Sequence, residues 1–132
     1  MKTLIVEDDS ISRVLLEEFL KSFGPVSTAT NGSDAVDAVR EAIEEGRPFD
    51  LVCMDIMMPL MDGQSALISI REMEKSYDIT AGNRVKIVMT SALSDMKNTS
   101  TAFENLCDAY LFKPIDRKRL LGILSSLRLI PA

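Results

Sequence analysis

Five short apolar runs, each ending in polar or charged residues and each leading toward a segment of helical periodicity, constrain what this chain can fold into. The runs are Thr3-Leu4-Ile5-Val6, Val26 to Thr30, residues 50 to 54, Val85-Lys86-Ile87-Val88-Met89 and Ala109-Tyr110-Leu111-Phe112. A continuous apolar run of this length suits a strand buried on both faces. Val26 to Thr30 is weaker and richer in small residues, which suits a strand near a sheet edge. Residues 10 to 23 predict an amphipathic helix with Ile11, Val14, Leu15 and Phe19 inward, capped by Asp9 or Ser10 and stopped by Gly24-Pro25. Asn31-Gly32 predicts a turn, and Ser33 or Asp34 begins a second helix with the stripe Ala35, Val36, Val39, Ala42 and Ile43. A third helix follows Gly63, with Ala66, Leu67, Ile70 and Met73 on one side. Ser94 to Leu106 reads as a fourth, poorly apolar helix, and Asp116 caps a fifth whose Leu120, Leu121, Leu124 and Leu127 point inward. Regular alternation of strand and helix with short loops predicts an α/β fold, a doubly wound parallel sheet of five strands with five helices covering both faces.

Composition narrows the function. The 132 residues suit one domain, expected to span 1–132 with no linker to an output domain. Lys plus Arg is 15 against 20 Asp plus Glu, a net charge of -5, which argues against direct nucleic-acid binding. Met1-Lys2-Thr3 leads straight into a strand, so a cytoplasmic protein without a leader is expected. No apolar run approaches the roughly 20 residues that cross a bilayer, so no membrane insertion is expected. Cys53 and Cys107 sit in or beside apolar runs without metal-type spacing and read as small buried residues of a reducing compartment. The chain has no histidine, which removes Ser-His-Asp and Cys-His catalysis and histidine metal sites.

The chemistry gathers at the strand ends. Leu51-Val52-Cys53-Met54 runs directly into Asp55, and Pro59 forces the chain to turn before Asp62 and Gly63 supply a cap and a flexible turn. The first strand ends in Glu7-Asp8-Asp9, the fourth in Thr90-Ser91 and the fifth in Lys113-Pro114. In a parallel sheet all carboxyl ends share one edge, and open doubly wound sheets bind ligands there. If the first and third strands are neighbours, Glu7, Asp8 and Asp55 crowd together, and a divalent cation relieves their repulsion. With hard oxygen ligands alone, Mg²⁺ fits best, with Mn²⁺ as the alternative ion. Thr90 offers a hydroxyl donor and Lys113 a point charge suited to phosphate. Together these residues form a pocket for a phosphoryl group, with Asp55 as nucleophile.

At this point the chain resembles the receiver domains of two-component response regulators. The resemblance rests on Leu4-Ile5-Val6-Glu7-Asp8-Asp9, on Asp55 with Met58-Pro59-Leu60-Met61-Asp62-Gly63, on Val88-Met89-Thr90-Ser91-Ala92 and on Tyr110-Leu111-Phe112-Lys113-Pro114, and it covers Met1 to about Leu129. It implies a flavodoxin-like sheet of order 2-1-3-4-5. It implies that Asp55 accepts the phosphoryl group, that Asp8 binds Mg²⁺ directly and Glu7 through water, and that Met57 offers its backbone carbonyl. It also implies that Thr90 and Lys113 hold the phosphoryl oxygens, that Tyr110 is an aromatic switch, and that the Lys113-Pro114 bond is cis. The implied donors are a histidine kinase or a histidine phosphotransfer protein, and the implied readout face toward a downstream protein target is the fourth helix, fifth strand and fifth helix.

Three features depart from the family pattern. Glu7 stands where aspartate is commoner, the turn Asn105-Leu106-Cys107 has no glycine, and the loop from Ser76 to Arg84 is long. Other readings make different demands. A flavodoxin-type binding module wants a Gly/Ser/Thr-rich phosphate loop after the first strand, where acids stand here. An aspartate-nucleophile phosphohydrolase wants a second Asp at the position of Met57. A pseudo-receiver scaffold would lack part of the residue set that is complete here.

Overall fold

The apolar runs pair side by side into one parallel sheet of order β2-β1-β3-β4-β5 in the computed structural model, which describes residues 1–58, 60–92 and 106–131. The strands are β1 (Thr3–Val6), β2 (Val26–Ala29), β3 (Leu51–Asp55), β4 (Lys86–Ser91) and β5 (Ala109–Phe112). Helices α1 (Ser10–Leu20), α2 (Gly32–Glu44) and α3 (Gly63–Ser76) and a C-terminal helix (Arg117–Ser126) are the four α-helices among the described residues. The segment expected to form the fourth of five helices, and the Pro59 turn, lie outside the described residues, apart from Leu106, which is not helical. No helix among the described residues is long and apolar enough to cross a membrane.

Side-chain alternation divides the core in two. Leu4, Val6, Val52, Met54, Ile87 and Met89 face α2 and α3 in one cluster. Ile5, Leu51, Cys53, Val88 and Leu111 form the other with Leu16 and Leu20 of α1 and Leu120 and Leu124 of the C-terminal helix. β3 has neighbours on both sides and every residue of it is buried, which is why its sequence is continuously apolar up to Asp55. β2 is an edge strand, as its composition suggests.

Each of these four α-helices starts from a side chain that accepts a first-turn N–H. Asp9 takes Ser12 N at 3.0 Å, Asn31 takes Asp34 N at 2.8 Å, Asp62 takes Ser65 N at 2.7 Å and Asp116 takes Lys118 N at 3.2 Å. The second helix thus begins at Gly32, capped by Asn31, one residue earlier than Ser33. Gly63 does not serve as a flexible turn. It opens α3, and a Cβ there would lie 2.2 Å from the Asp55 carbonyl oxygen, so the glycine permits close approach of the helix to the end of β3. Gly32 does the same against Met61, whose carbonyl accepts Gly32 N at 3.0 Å.

The inward face of α1 differs from the expectation. Leu16 and Leu20 are buried, while Ile11 is 78% and Val14 55% exposed, and Leu15 is exposed too. In the first turns the less exposed positions are polar: Ser12 closes on Asp9, and Arg13 Nη1 donates to the Glu7 carbonyl at 3.0 Å. Leu16→Ala is therefore expected to cost about 2–5 kcal/mol in urea unfolding. Ile11→Ala should stay within about 0.5 kcal/mol of wild type. Equal losses would contradict this placement of α1.

Candidate functional site

The sheet register brings the strand-end residues together on one face. Val6 pairs with Met54 and Asp55 with Thr90, so Glu7, Asp55 and Thr90 fall on one row across three strands. Glu7 lies two residues beyond Ile5, Asp55 two beyond Cys53, Thr90 two beyond Val88 and Lys113 two beyond Leu111. Those four apolar residues belong to the α1-side core. With a period of two, all four polar side chains continue that face past the end of its apolar packing.

The distances bear this out. Lys113 Nζ lies 2.9 Å from Glu7 Oε2 and 3.2 Å from Asp55 Oδ2, bridging the two carboxylates. Asp8, exposed beside them, completes a group with Glu7 and Asp55 whose nearest carboxylate oxygens all lie within 4.8 Å of one another. Asp55 is 5% exposed, not a strand-end residue in open water. Its Oδ1 accepts the Met57 N–H at 3.3 Å, so the Met57 backbone lies over the carboxylate. The Met57 side chain points outward and is 59% exposed. Asp9 stands apart from the acidic pair as the cap of α1. The Lys113–Pro114 bond is cis.

The electrostatics follow from burial. Glu7 is fully buried, and loss of water pushes its carboxyl from an ordinary 4.5 up to about 7. The Lys113 hydrogen bond pulls it back down, and the Asp55 charge adds to the rise. Glu7 and Asp55 offer carboxylate oxygens within 4.8 Å of each other, so at an effective dielectric near 20 they repel by at least about 3 kcal/mol when both are ionised. Burial pulls the Lys113 ammonium down, but Glu7 and Asp55 outweigh it and hold the group above the ordinary lysine value. Three carboxylates and one ammonium leave two negative charges when all are ionised, the complement of one divalent cation. The donors are all hard oxygens, as Mg²⁺ requires.

Thr90 Oγ1 is buried and has no hydrogen-bond partner among the described residues. A buried hydroxyl left without a partner is costly, and beside a carboxylate it is a donor waiting for an acceptor. Tyr110 is on the opposite face of β5, half-buried against the α2–α3 core with Met58, Met61 and Leu106. Of the residues expected at the site, then, Glu7, Asp8, Asp55, Thr90 and Lys113 converge, Met57 contributes its backbone, and Tyr110 sits on the other side of the sheet.

Two features were missed in the sequence. Gly63 supports the Asp55 backbone by close approach, where its place after a capping Asp suggested only a turn. Several apolar side chains are also exposed: Ile11, Val14 and Leu15 on α1, and Met57 and Leu60 after β3, with Leu60 87% exposed. Their signal was the pair of stripes on α1, of which only one can face the sheet.

Comparison with known proteins agrees with this arrangement. The response regulator receiver domain family matches residues 3–125. The two-component response regulator ORR41 of Oryza sativa subsp. japonica is 37% identical over 133 residues, covering 98% of this chain and 95% of that protein. A probable histidine kinase 2 of Oryza sativa subsp. indica is 34% identical over 130 residues; the match covers 91% of this chain but spans only 12% of the kinase. Among solved structures, the receiver domain of sensor histidine kinase PA1611 from Pseudomonas aeruginosa PAO1, with magnesium coordinated in its active-site cleft, is 29% identical with a TM-score of 0.72 over 95% of this chain and 94% of that one. The receiver domain of Saccharomyces cerevisiae Ssk1, solved with the histidine phosphotransfer protein Ypd1, is 27% identical with a TM-score of 0.76 over 99% and 92%. Sheet order, the acidic edge and these relatives agree: the chain belongs to the response regulator receiver domains of two-component signalling.

Proposed function

We propose that Asp55 accepts a phosphoryl group from the phosphohistidine of a histidine kinase or histidine phosphotransfer protein, and that the resulting charge switches a protein-binding face. The observation that carries this reading is the convergence of Glu7, Asp8 and Asp55 on one point, with Lys113 bridging two of them. In the transfer, the histidine N–P bond breaks as an Asp55 oxygen–phosphorus bond forms, and the imidazole leaves with the electron pair. Water later attacks phosphorus, the Asp55 oxygen–phosphorus bond breaks, and inorganic phosphate leaves the free carboxylate behind, so the domain catalyses only its own phosphorylation and dephosphorylation. Mg²⁺, or Mn²⁺ in its place, would be held by Asp8, Asp55 and the Met57 carbonyl, with Glu7 acting through water, and when bound it offsets charge on the transferred oxygens. Lys113 supplies the second positive charge, and the Thr90 hydroxyl, without a partner among the described residues, donates to a phosphoryl oxygen.

The response follows as a population shift. Thr90 pairs with Leu111 in register, next to Tyr110. Movement of Thr90 toward the phosphoryl group would change the packing of Tyr110. A cleft of about 400 Å³ between β5 and the C-terminal helix, lined by Tyr110, Phe112, Arg119 and Ile123, supports this as the surface that a downstream protein reads. Exposed apolar Ile11 and Met57 follow Asp8 and Asp55 closely in sequence and suit contact with a protein donor.

Incubation with acetyl phosphate and Mg²⁺ should give one acid-stable, base-labile phosphate on wild type and none on Asp55→Asn; equal labelling would contradict the assignment. Ile11→Arg should keep labelling by acetyl phosphate but lose it from a phosphorylated histidine phosphotransfer domain. Loss with both donors would place Ile11 in the fold rather than at the contact.

Glu7 sets a pH dependence. Its folded-state value lies above the unfolded one, so its protonation stabilises the metal-free fold fully below about 4.5, and this contribution is lost as pH rises through about 7. Metal binding needs the carboxylate, so protons compete with Mg²⁺ below about 7. Calorimetry in buffers of different ionisation enthalpy should show Mg²⁺ affinity rising up to about pH 7 with proton release, then levelling. A flat profile, or the same profile in Glu7→Gln, would contradict this role.

A further inference from the structure

We propose that Arg71 is a positioning residue for Lys113 and Tyr110, acting through Asp108 and the register of β5. The inference rests on Lys113 as the phosphoryl contact. β5 has four residues and pairs with β4 alone, so it is a short edge strand. A slip of one residue along such a strand reverses the face of every side chain. It would carry Lys113 away from Glu7 and Asp55 and turn Tyr110 toward the acids. Four ladder pairs and the burial of Leu111 oppose the slip from within.

Arg71 adds a clamp at the other end. Its guanidinium is buried, and all three nitrogens are engaged. Nε donates to the Leu106 carbonyl at 2.8 Å, Nη1 to Glu74 Oε1 at 2.7 Å and to the Val85 carbonyl at 2.8 Å, and Nη2 to Asp108 Oδ2 at 3.1 Å. The same Asp108 oxygen accepts Ile87 N at 2.8 Å, while Asp108 N donates to the Ile87 carbonyl at 2.8 Å. Asp108 therefore adds one rung to the β4–β5 ladder, half of it made by a side chain. Glu74 Oε2 accepts Val85 N at 2.7 Å, which ties the approach to β4 into the same hub.

The hub sits on α3, whose first residue packs against the Asp55 carbonyl. One helix of 14 residues thus spans from the phosphoacceptor to the opposite end of β4 and β5. A buried ion pair is weak evidence for stability, and its best-attested use is to fix register. The hub also bears on the turn that lacks a glycine. The Leu106 carbonyl, in that turn, is satisfied by Arg71.

The test uses Asp108→Asn, which keeps the shape and removes the charge, and Arg71→Lys, which keeps the charge and removes the fork. Mg²⁺-dependent beryllofluoride affinity is measured by calorimetry well below each variant's melting midpoint, with urea stability alongside, alone and combined with Lys113→Ala. Asp108 and Lys113 are five residues apart along an extended strand, about 16 Å, so purely structural losses should add. Positioning predicts that each variant weakens beryllofluoride binding by about 10-fold or more, and that this loss disappears in the Lys113→Ala background. Variants that lose stability but bind like wild type would overturn the proposal, as would a loss of the same size with and without Lys113. Wild type that fails to bind beryllofluoride would overturn the phosphoacceptor reading itself, and the clamp with it.

Discussion

A lysine ammonium between two carboxylates, one fully buried and the other nearly so, is the interaction around which this molecule is arranged. Burial and the neighbouring Asp55 charge work against the ionised form of Glu7, and the Lys113 ammonium offsets part of that cost. Lys113 reaches them from β5, two strands away from Asp55 and three from Glu7, so the pair exists only if the register across four strands is right. That requirement explains why polar residues occupy the carboxyl ends of otherwise apolar strands. The fold places charge where its apolar packing stops.

The same arrangement leaves something undone. With all its groups ionised the site carries two negative charges more than its own ammonium offsets, and the Thr90 hydroxyl lacks an acceptor among the described residues. Both are costs in a folded protein. Both are relieved by a divalent cation and a phosphoryl group, one supplying positive charge and the other supplying acceptors. Each ligand therefore binds a conformation it stabilises, which is the condition for a switch. In the proposed clamp, α3 supports that switch from both ends. Gly63 lets it touch the end of β3, and Arg71 holds the far ends of β4 and β5.

Much of this was legible in the residues. Apolar runs that stop at acids, a hydroxyl or a lysine mark the site because strand period and parallel topology leave one edge for all of them. The caps were legible for a similar reason, since Asp62 and Asp116 directly precede periodic segments. The face of α1 was not. Ile11, Val14 and Leu15 form one helical stripe and Leu16, Phe19 and Leu20 another, and periodicity alone cannot rank them. The choice is made by Arg13 and Ser12, which turn toward the sheet edge and the cap. The burial of Arg71 and Glu74 was not legible either, although 67, 70, 71 and 74 lie on one helical face. Burial of an ion pair depends on partners distant in sequence, here Val85, Leu106 and Asp108, which a local reading does not supply.

The central claim is that Glu7, Asp8 and Asp55 form one divalent-cation site. The most direct measurement is an anomalous difference map from crystals soaked in Mn²⁺, the heavier stand-in for Mg²⁺. The account predicts one strong peak bounded by the Asp8 and Asp55 carboxylates and the Met57 carbonyl. A peak elsewhere with none beside Asp55, or the same peak in Asp8→Asn with Asp55→Asn, would contradict it.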